Sequence, residues 1–133
     1  MYTMETGMNN IPDWRGKEVL IVEDNPFIAE FLVEVLANTG VKTTIVTNGE
    51  DAVRLIKTND DFDVVLMDIR LPGMSGVEAT REIRKFDQEI PIIAQTAHAM
   101  IHDRVKYIRA GCTDYFIKPV SIENLFAILC NYL

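Results

Sequence analysis

Five short apolar segments, each followed by a stretch with helical spacing, constrain the fold of this chain more than any other feature. They lie at Glu18–Val22, Thr43–Val46, Asp63–Met67, Ile90–Gln95 and Asp114–Ile117. All five are too short for helices, and their apolar residues are nearly continuous rather than alternating with polar ones. Continuous apolarity is typical of strands buried on both faces, as in a parallel sheet covered by helices.

The stretches between these segments carry the caps and apolar stripes of amphipathic helices. Asn25 and Pro26 supply an N-cap and a first-turn proline, and Gly40 lies where this first helix is expected to stop. Its apolar residues form one stripe, made of Phe27, Ile28, Phe31, Leu32, Val35 and Leu36. Further helices are predicted from Asn48 to about Thr58, Ser75 to about Lys85, Met100 to Ala110, and from Ser121 onward, where Ile122, Leu125, Phe126, Leu129 and Leu133 share a face.

A βα unit repeated five times predicts one doubly wound α/β domain, with a parallel five-stranded sheet and helices on both faces. The length of 133 residues suits a single domain that buries its own core. Residues 1–16 show no periodicity and are expected to form a flexible lead-in to a domain at residues 17–133. Trp14 is the one large apolar side chain that could attach the end of this lead-in to the domain.

Charge and composition argue against several classes of function. Lys and Arg number 13 against 20 Asp and Glu, a net charge of −7, which disfavours direct binding of nucleic acid. The apolar runs fall far short of the roughly 18 residues that span a bilayer, and no signal peptide is visible. The two cysteines, Cys112 and Cys130, suit reduced thiols. We therefore expect a soluble cytoplasmic domain without membrane contact.

Polar residues follow the apolar segments at the points where the predicted strands end. Glu23 and Asp24 follow the first segment, Asp68 the third, Thr96 the fourth and Lys118 the fifth. Ligands of open α/β sheets bind at this edge, so the topology brings these side chains together. Two carboxylates about 5 Å apart repel by roughly 3 kcal/mol at an effective dielectric near 20, and one ammonium cannot balance three of them. Mg²⁺ suits such oxygen ligands, and Asp68 becomes a candidate nucleophile toward phosphorus.

Four segments of the chain resemble the receiver domains of two-component response regulators. They are Val19–Asn25, Val64–Gly76, Pro91–Ala97 and Asp114–Pro119, and the likeness covers about residues 17–133. The resemblance implies a flavodoxin-like strand order 2-1-3-4-5 and a phosphorylation-dependent signalling switch. The phosphodonor would be a histidine kinase or a histidine phosphotransfer protein, and the recipient of the signal a downstream effector protein or domain. Homodimer formation stays open, as does the choice between a stand-alone regulator and part of a hybrid kinase or longer regulator.

The resemblance also implies a role for each residue at the sheet edge. Asp68 would accept the phosphoryl group. Asp24 would bind Mg²⁺ directly, Glu23 directly or through a water, and the backbone carbonyl of Arg70 would complete the protein ligands. Lys118 would contact the phosphoryl oxygens. A domain of this kind is expected to catalyse only its own phosphorylation and dephosphorylation.

The switch implied by the resemblance begins with Thr96, which would hydrogen-bond to a phosphoryl oxygen and move toward it. Tyr115 would then turn inward, and the surface made by the fourth helix, the fifth strand and the fifth helix would change. The Lys118–Pro119 bond would be cis, as is typical of the family. Arg70 and His98 flank the expected path of an attacking water, so we hypothesise that they set the lifetime of the phosphorylated state.

Two other functions fit a sheet of this topology. A phosphatase with an Asp nucleophile usually needs a second acid two residues later, and that position holds Arg70. A flavin-binding module would place a phosphate on the loop after the first strand, where Glu23 and Asp24 would repel it.

Overall fold

The structure, a computed structural model, describes residues 11–97 and 101–133, and of residues 101 and 102 only the backbone. Strands and helices alternate throughout these ranges. The strands are β1 (Glu18–Val22), β2 (Lys42–Val46), β3 (Val64–Asp68), β4 (Ile92–Thr96) and β5 (Asp114–Ile117). The helices are α1 (Pro26–Ala37), α2 (Gly49–Thr58), α3 (Gly76–Arg84), α4 (Ile101–Ala110) and α5 (Ile122–Leu129). The residues predicted to begin the fourth helix, from Met100, lie partly outside the described ranges.

The five strands form one parallel sheet in the order β2-β1-β3-β4-β5. The doubly wound fold and its strand order are therefore confirmed. Val22 lies opposite Met67, and Met67 lies opposite Ala94, so the carboxyl ends of β1, β3 and β4 share one edge of the sheet. The strand order reverses between β1 and β3, which opens a crevice at that edge.

Each face of the sheet has its own apolar core. Helices α2, α3 and α4 pack on one face around Leu20, Val65, Met67, Ile92 and Ala94. Helices α1 and α5 pack on the other face around Val19, Ile21, Val64, Leu66 and Ile93. Strand side chains point alternately to the two faces, which is why neighbouring residues of one strand belong to different cores. Across the described ranges no helix has both the length and the apolarity to cross a bilayer.

Trp14 attaches the residues before β1 to the domain. Its indole is 6% exposed and meets the Phe126 ring edge-on, with 5.7 Å between ring centroids. Its backbone N–H donates to the carbonyl of Thr39 at 2.8 Å. The domain boundary at residue 16 stays a prediction, although these contacts already begin two residues earlier.

The predicted helix caps explain where most helices begin. Asn25 accepts hydrogen bonds from Phe27 N and Ile28 N, and Ser75 accepts one from Glu78 N at 3.1 Å. The first helix ends at Ala37, three residues before Gly40. The turn after the helix closes at Gly40, whose N–H donates to the Ala37 carbonyl at 3.2 Å and whose φ of 79° is a left-handed value that favours glycine.

The apolar stripe predicted for α1 is only partly buried. Leu32 and Leu36 are buried, whereas Phe27 is 81% exposed and Phe31 is 40% exposed. At 3.6 residues per turn the predicted stripe spans an arc of about 180°, which is wider than the face that contacts the sheet. Of the face predicted for the last helix, Leu125, Phe126 and Leu129 are buried, whereas Ile122 is 46% exposed. Leu133 lies beyond the end of the helix, although it packs against the same core.

Candidate functional site

Three carboxylates meet where the ends of β1 and β3 adjoin. Glu23 and Asp24 directly follow β1, Asp68 is the last residue of β3, and oxygens of all three lie within 4.8 Å of one another. Glu23 and Asp68 are buried, whereas Asp24 is exposed. They line a cleft of about 240 Å³ together with Arg70, Thr96, Lys118 and their neighbours. The strand ends thus bring together the acidic residues predicted to form the site.

Lys118 reaches into this cleft from the loop after β5. Its Nζ lies 2.9 Å from Glu23 Oε1 and 3.2 Å from Asp68 Oδ1. Its backbone N–H donates to the Thr96 carbonyl at 2.8 Å, and its peptide bond to Pro119 is cis. One ammonium therefore contacts the two buried carboxylates at once.

The electrostatics of the cleft favour an additional cation. Burial, followed by the hydrogen bond with Asp68, raises the pKa of Glu23 to about 7, against the lowering effect of Lys118. Three carboxylates against one ammonium leave excess negative charge. Carboxylate oxygens at this separation are the donor set that Mg²⁺ prefers, so the residues fit a divalent cation.

The loop after β3 holds Asp68 in place through the backbone. Arg70 N donates to Asp68 Oδ1 at 3.1 Å, and Gly76 N donates to the Ile69 carbonyl at 2.9 Å. A Cβ atom on Gly76 would lie 2.1 Å from the backbone oxygen of Asp68. Only glycine therefore fits at position 76 without moving the residue that carries the candidate nucleophile. The sequence reasoning did not single out this contact.

Thr96 is buried at the end of β4, and its hydroxyl contacts a residue that the sequence reasoning missed. Thr96 Oγ1 lies 2.8 Å from the hydroxyl oxygen of Tyr107, which is 4% exposed on α4. A signal was available, since Tyr107 and Ala110 are three residues apart on one face of the predicted helix. A tyrosine on an inward face needs a hydrogen-bond partner for its hydroxyl.

Tyr115 lies on β5 opposite Ala94, half-buried against the core that contains Tyr107. The guanidinium carbon of Arg104 sits 5.4 Å from the centroid of its ring. Helix α4 thus contacts both residues of the predicted switch. His98 lies outside the described residues.

An apolar groove adjoins the acidic cleft on the side of α1. It measures about 490 Å³ and is lined by Phe27, Ile28, Phe31, Leu32, Gln95, Phe116, Lys118, Pro119 and Val120. Ile28 and Lys118 line both the groove and the cleft. Gln95 is 1% exposed, and its Nε2 has no hydrogen-bond partner within the described part of the chain.

Comparison with known proteins identifies one family. The profile of the response regulator receiver domain matches residues 19–130. The sensor histidine kinase GacS of Pseudomonas protegens is 36% identical over 123 residues, which cover 89% of this chain and 13% of GacS. The transcription factor SKN7 of Candida albicans is 37% identical over 115 residues, covering 86% of this chain and 20% of SKN7. The chain therefore spans no more than a fifth of either relative.

Solved structures give the same result. The receiver domain of a Pseudomonas aeruginosa sensor histidine kinase, crystallised with magnesium in its active-site cleft, is 40% identical with a TM-score of 0.81, over 88% of this chain and 97% of that one. The receiver domain of Saccharomyces cerevisiae Ssk1, in complex with the histidine phosphotransfer protein Ypd1, is 30% identical with a TM-score of 0.83, over 92% and 90%.

Proposed function

The chain belongs to the family of response regulator receiver domains, and from that premise we propose that Asp68 is its phosphoacceptor. The observation that carries the proposal is the surroundings of Asp68, whose carboxylate contacts Lys118 Nζ and Arg70 N and shares its cleft with Glu23 and Asp24. A nucleophilic carboxylate needs an adjacent cation to approach an anionic phosphoryl group, and the site supplies one. The domain acts as a receiver in two-component signalling.

Glu23, Asp24 and Asp68 would hold a Mg²⁺ ion, with the backbone carbonyl of Arg70 as a further ligand. The bound ion would neutralise negative charge on the phosphoryl oxygens. The fit is supported by the acidic cluster itself and by the raised pKa of Glu23, because burial and the neighbouring Asp68 penalise its charge. The same ion would relieve that penalty.

The proposed reaction transfers a phosphoryl group from a histidine nitrogen to an Asp68 oxygen. The N–P bond breaks and its electron pair returns to the imidazole, while an Asp68 oxygen forms the new O–P bond. Lys118 is held within reach of the acceptor oxygen and would pair with the transferred group. Thr96 lines the same cleft and would hydrogen-bond to a phosphoryl oxygen.

The donor in this proposal is a histidine kinase or a histidine phosphotransfer protein. The similarity to Ssk1, solved with Ypd1, supports the assignment. The groove beside α1 supports it as well, because the largely exposed Phe27 and the half-exposed Phe31 lie beside the acidic cleft that holds Asp68, here called the acceptor cleft. A donor protein must approach this cleft to reach Asp68. The signal would pass to an effector protein or domain through α4, β5 and α5. Val105, Ile108 and Ile117 give this surface an apolar character.

The proposal includes a cytoplasmic location and no multiple-turnover activity. Two free cysteines support a reducing compartment. Arg70 stands two residues after the nucleophile, where a phosphatase usually has its second acid, and the family assignment likewise disfavours the phosphatase. Arg70 also stays our candidate, together with His98, for setting the phosphoryl lifetime.

Incubation with acetyl phosphate and Mg²⁺ tests the proposal. We expect one phosphoryl group per chain, detected by intact-mass spectrometry and abolished in Asp68→Asn. Asp63→Asn is the matched control and should be phosphorylated normally. The Asp63 carboxylate accepts a hydrogen bond from Glu18 N at the opposite end of the sheet. Equal labelling of Asp68→Asn, or many turnovers on p-nitrophenyl phosphate, would contradict the assignment.

A further inference from the structure

The hydrogen bond between Thr96 and Tyr107 connects the acceptor cleft to helix α4. Both side chains are buried, and their hydroxyl oxygens are 2.8 Å apart. Thr96 lines the acceptor cleft, whereas Tyr107 lines a neighbouring cleft between α4 and the loop after β3. We propose that Tyr107 is a positioning residue that holds the Thr96 hydroxyl and α4 in the unphosphorylated arrangement and thereby opposes phosphorylation. This inference rests on the proposed function of Asp68.

The proposal follows from what each hydroxyl must do when the phosphoryl group arrives. Thr96 has a single hydroxyl hydrogen, and its side chain rotates to bring that hydrogen to an acceptor. Rotation and movement toward a phosphoryl oxygen take Thr96 away from Tyr107. The Tyr107 hydroxyl is then left inside the core without the partner it has here, which is unfavourable.

Helix α4 can relieve this cost by moving. A shift of the helix lets the Tyr107 hydroxyl reach water or a new partner. The same helix carries Arg104 over the Tyr115 ring, so displacement of α4 also uncovers that ring. The unphosphorylated arrangement is thus held by a buried contact at Thr96 and an outer contact at Tyr115. Loss of the contact between Thr96 and Tyr107 weakens the position of α4 on which the contact between Arg104 and Tyr115 depends. The positions of α4 with and without these contacts are then the two states of a switch.

A hydrogen-bond relay from Tyr107 through Thr96 to the phosphoryl group would have the opposite effect on phosphoryl binding. Tyr107 could keep donating to Thr96 while Thr96 donates to the phosphoryl group, since a hydroxyl both donates and accepts. Such a chain would strengthen phosphoryl binding, and removal of the tyrosine hydroxyl would weaken it. The sign of the effect of one substitution therefore separates a restraint from a relay.

The test uses Tyr107→Phe, which keeps the buried ring and removes only the hydroxyl. Beryllofluoride with Mg²⁺, a phosphoryl mimic, is titrated into the full chain and followed by ¹⁹F NMR. We expect tighter binding by roughly two- to tenfold, the range corresponding to one net hydrogen bond. Tyr132→Phe is the matched control, because the Tyr132 hydroxyl donates to Asp114 at 3.2 Å outside the acceptor cleft, and its affinity should match that of the unchanged chain. Unchanged or weaker binding by Tyr107→Phe overturns the proposal.

A double-mutant cycle with Thr96→Ala locates the effect. In the Thr96→Ala background the Tyr107→Phe change should no longer alter beryllofluoride affinity, and a persisting effect contradicts the proposal. Hydrogen exchange of the unchanged chain gives a second measurement that does not depend on a variant. The backbone amides of Tyr107–Ala110 should exchange faster with beryllofluoride bound, and equal or slower exchange contradicts the restraint. Failure of the unchanged chain to bind beryllofluoride at all would instead contradict the role of Asp68.

Discussion

Protons should compete with Mg²⁺ at the acceptor cleft near neutral pH. The pKa of Glu23 is raised to about 7 by burial and by its hydrogen bond with Asp68. A metal binds the carboxylate form, so affinity is lost as the pH falls through that value. With a pKa of about 7, roughly ten in eleven chains carry the Glu23 carboxylate at about pH 8, and roughly one in eleven at about pH 6. The apparent affinity should therefore drop about tenfold over that interval.

Isothermal titration with MgCl₂ across this range measures the midpoint, and two variants move it in opposite directions. Lys118→Met removes a group that lowers the pKa of Glu23 and should shift the midpoint to higher pH. Asp68→Asn removes a charge that raises it and should shift the midpoint to lower pH. Glu123→Gln, on the exposed first turn of α5, serves as the control. An affinity that stays constant from about pH 6 to about pH 8 would refute the reasoning.

The same pKa predicts how the metal-free protein responds to pH. The folded-state pKa of Glu23 lies above its ordinary value of 4.5, so the folded chain binds this proton more tightly than the unfolded chain. The contribution to stability is present below about pH 4.5 and is lost as the pH rises through about 7. Thermal unfolding in EDTA should show a lower midpoint at about pH 8 than at about pH 6, relative to Glu23→Gln under the same conditions.

Further predictions concern three buried positions. Gly76→Ala places a Cβ atom against the backbone oxygen of Asp68 and should abolish labelling by acetyl phosphate, whereas retained labelling would show that the loop adapts. Gln95→Met removes an amide nitrogen without a described partner and should raise the free energy of unfolding by about 1 kcal/mol in urea denaturation. A lower free energy of unfolding would show that this nitrogen has a hydrogen-bond partner. Trp14→Ala removes the ring contact with Phe126 and should lower the free energy of unfolding by about 3 kcal/mol in the same assay. An unchanged free energy of unfolding would show that Trp14 does not stabilise the domain.

The sheet and its acidic edge could be predicted because buried parallel strands have continuous apolar sequences and end at polar residues. The structure moves two of those ends outward, to Asp68 in β3 and to Thr96 in β4. The reason lies in the backbone ladder, which pairs Asp68 with Gln95 whatever the polarity of their side chains. Apolar runs therefore locate the site to within one residue, but they place β3 and β4 slightly too early along the chain.

The burial of helix residues was harder to predict, since hydrophobicity does not show what covers a side chain. Phe27 and Phe31 have the spacing of core residues, yet α1 exposes both beside the acceptor cleft. The contact of Tyr107 with Thr96 depends on how α4 is rotated about its axis and where β4 ends. Neither quantity can be read from spacing within either segment alone.

The last two residues of β4, Gln95 and Thr96, point to opposite faces of the sheet. Strand side chains alternate, so Gln95 lines the groove on the side of α1 while Thr96 contacts Tyr107 on the side of α4. Lys118 lines both this groove and the acceptor cleft, which Thr96 also lines. A phosphodonor seated against α1 would thus approach from one face of the sheet. The movement of Thr96 would act on the opposite face, where its hydroxyl contacts that of Tyr107.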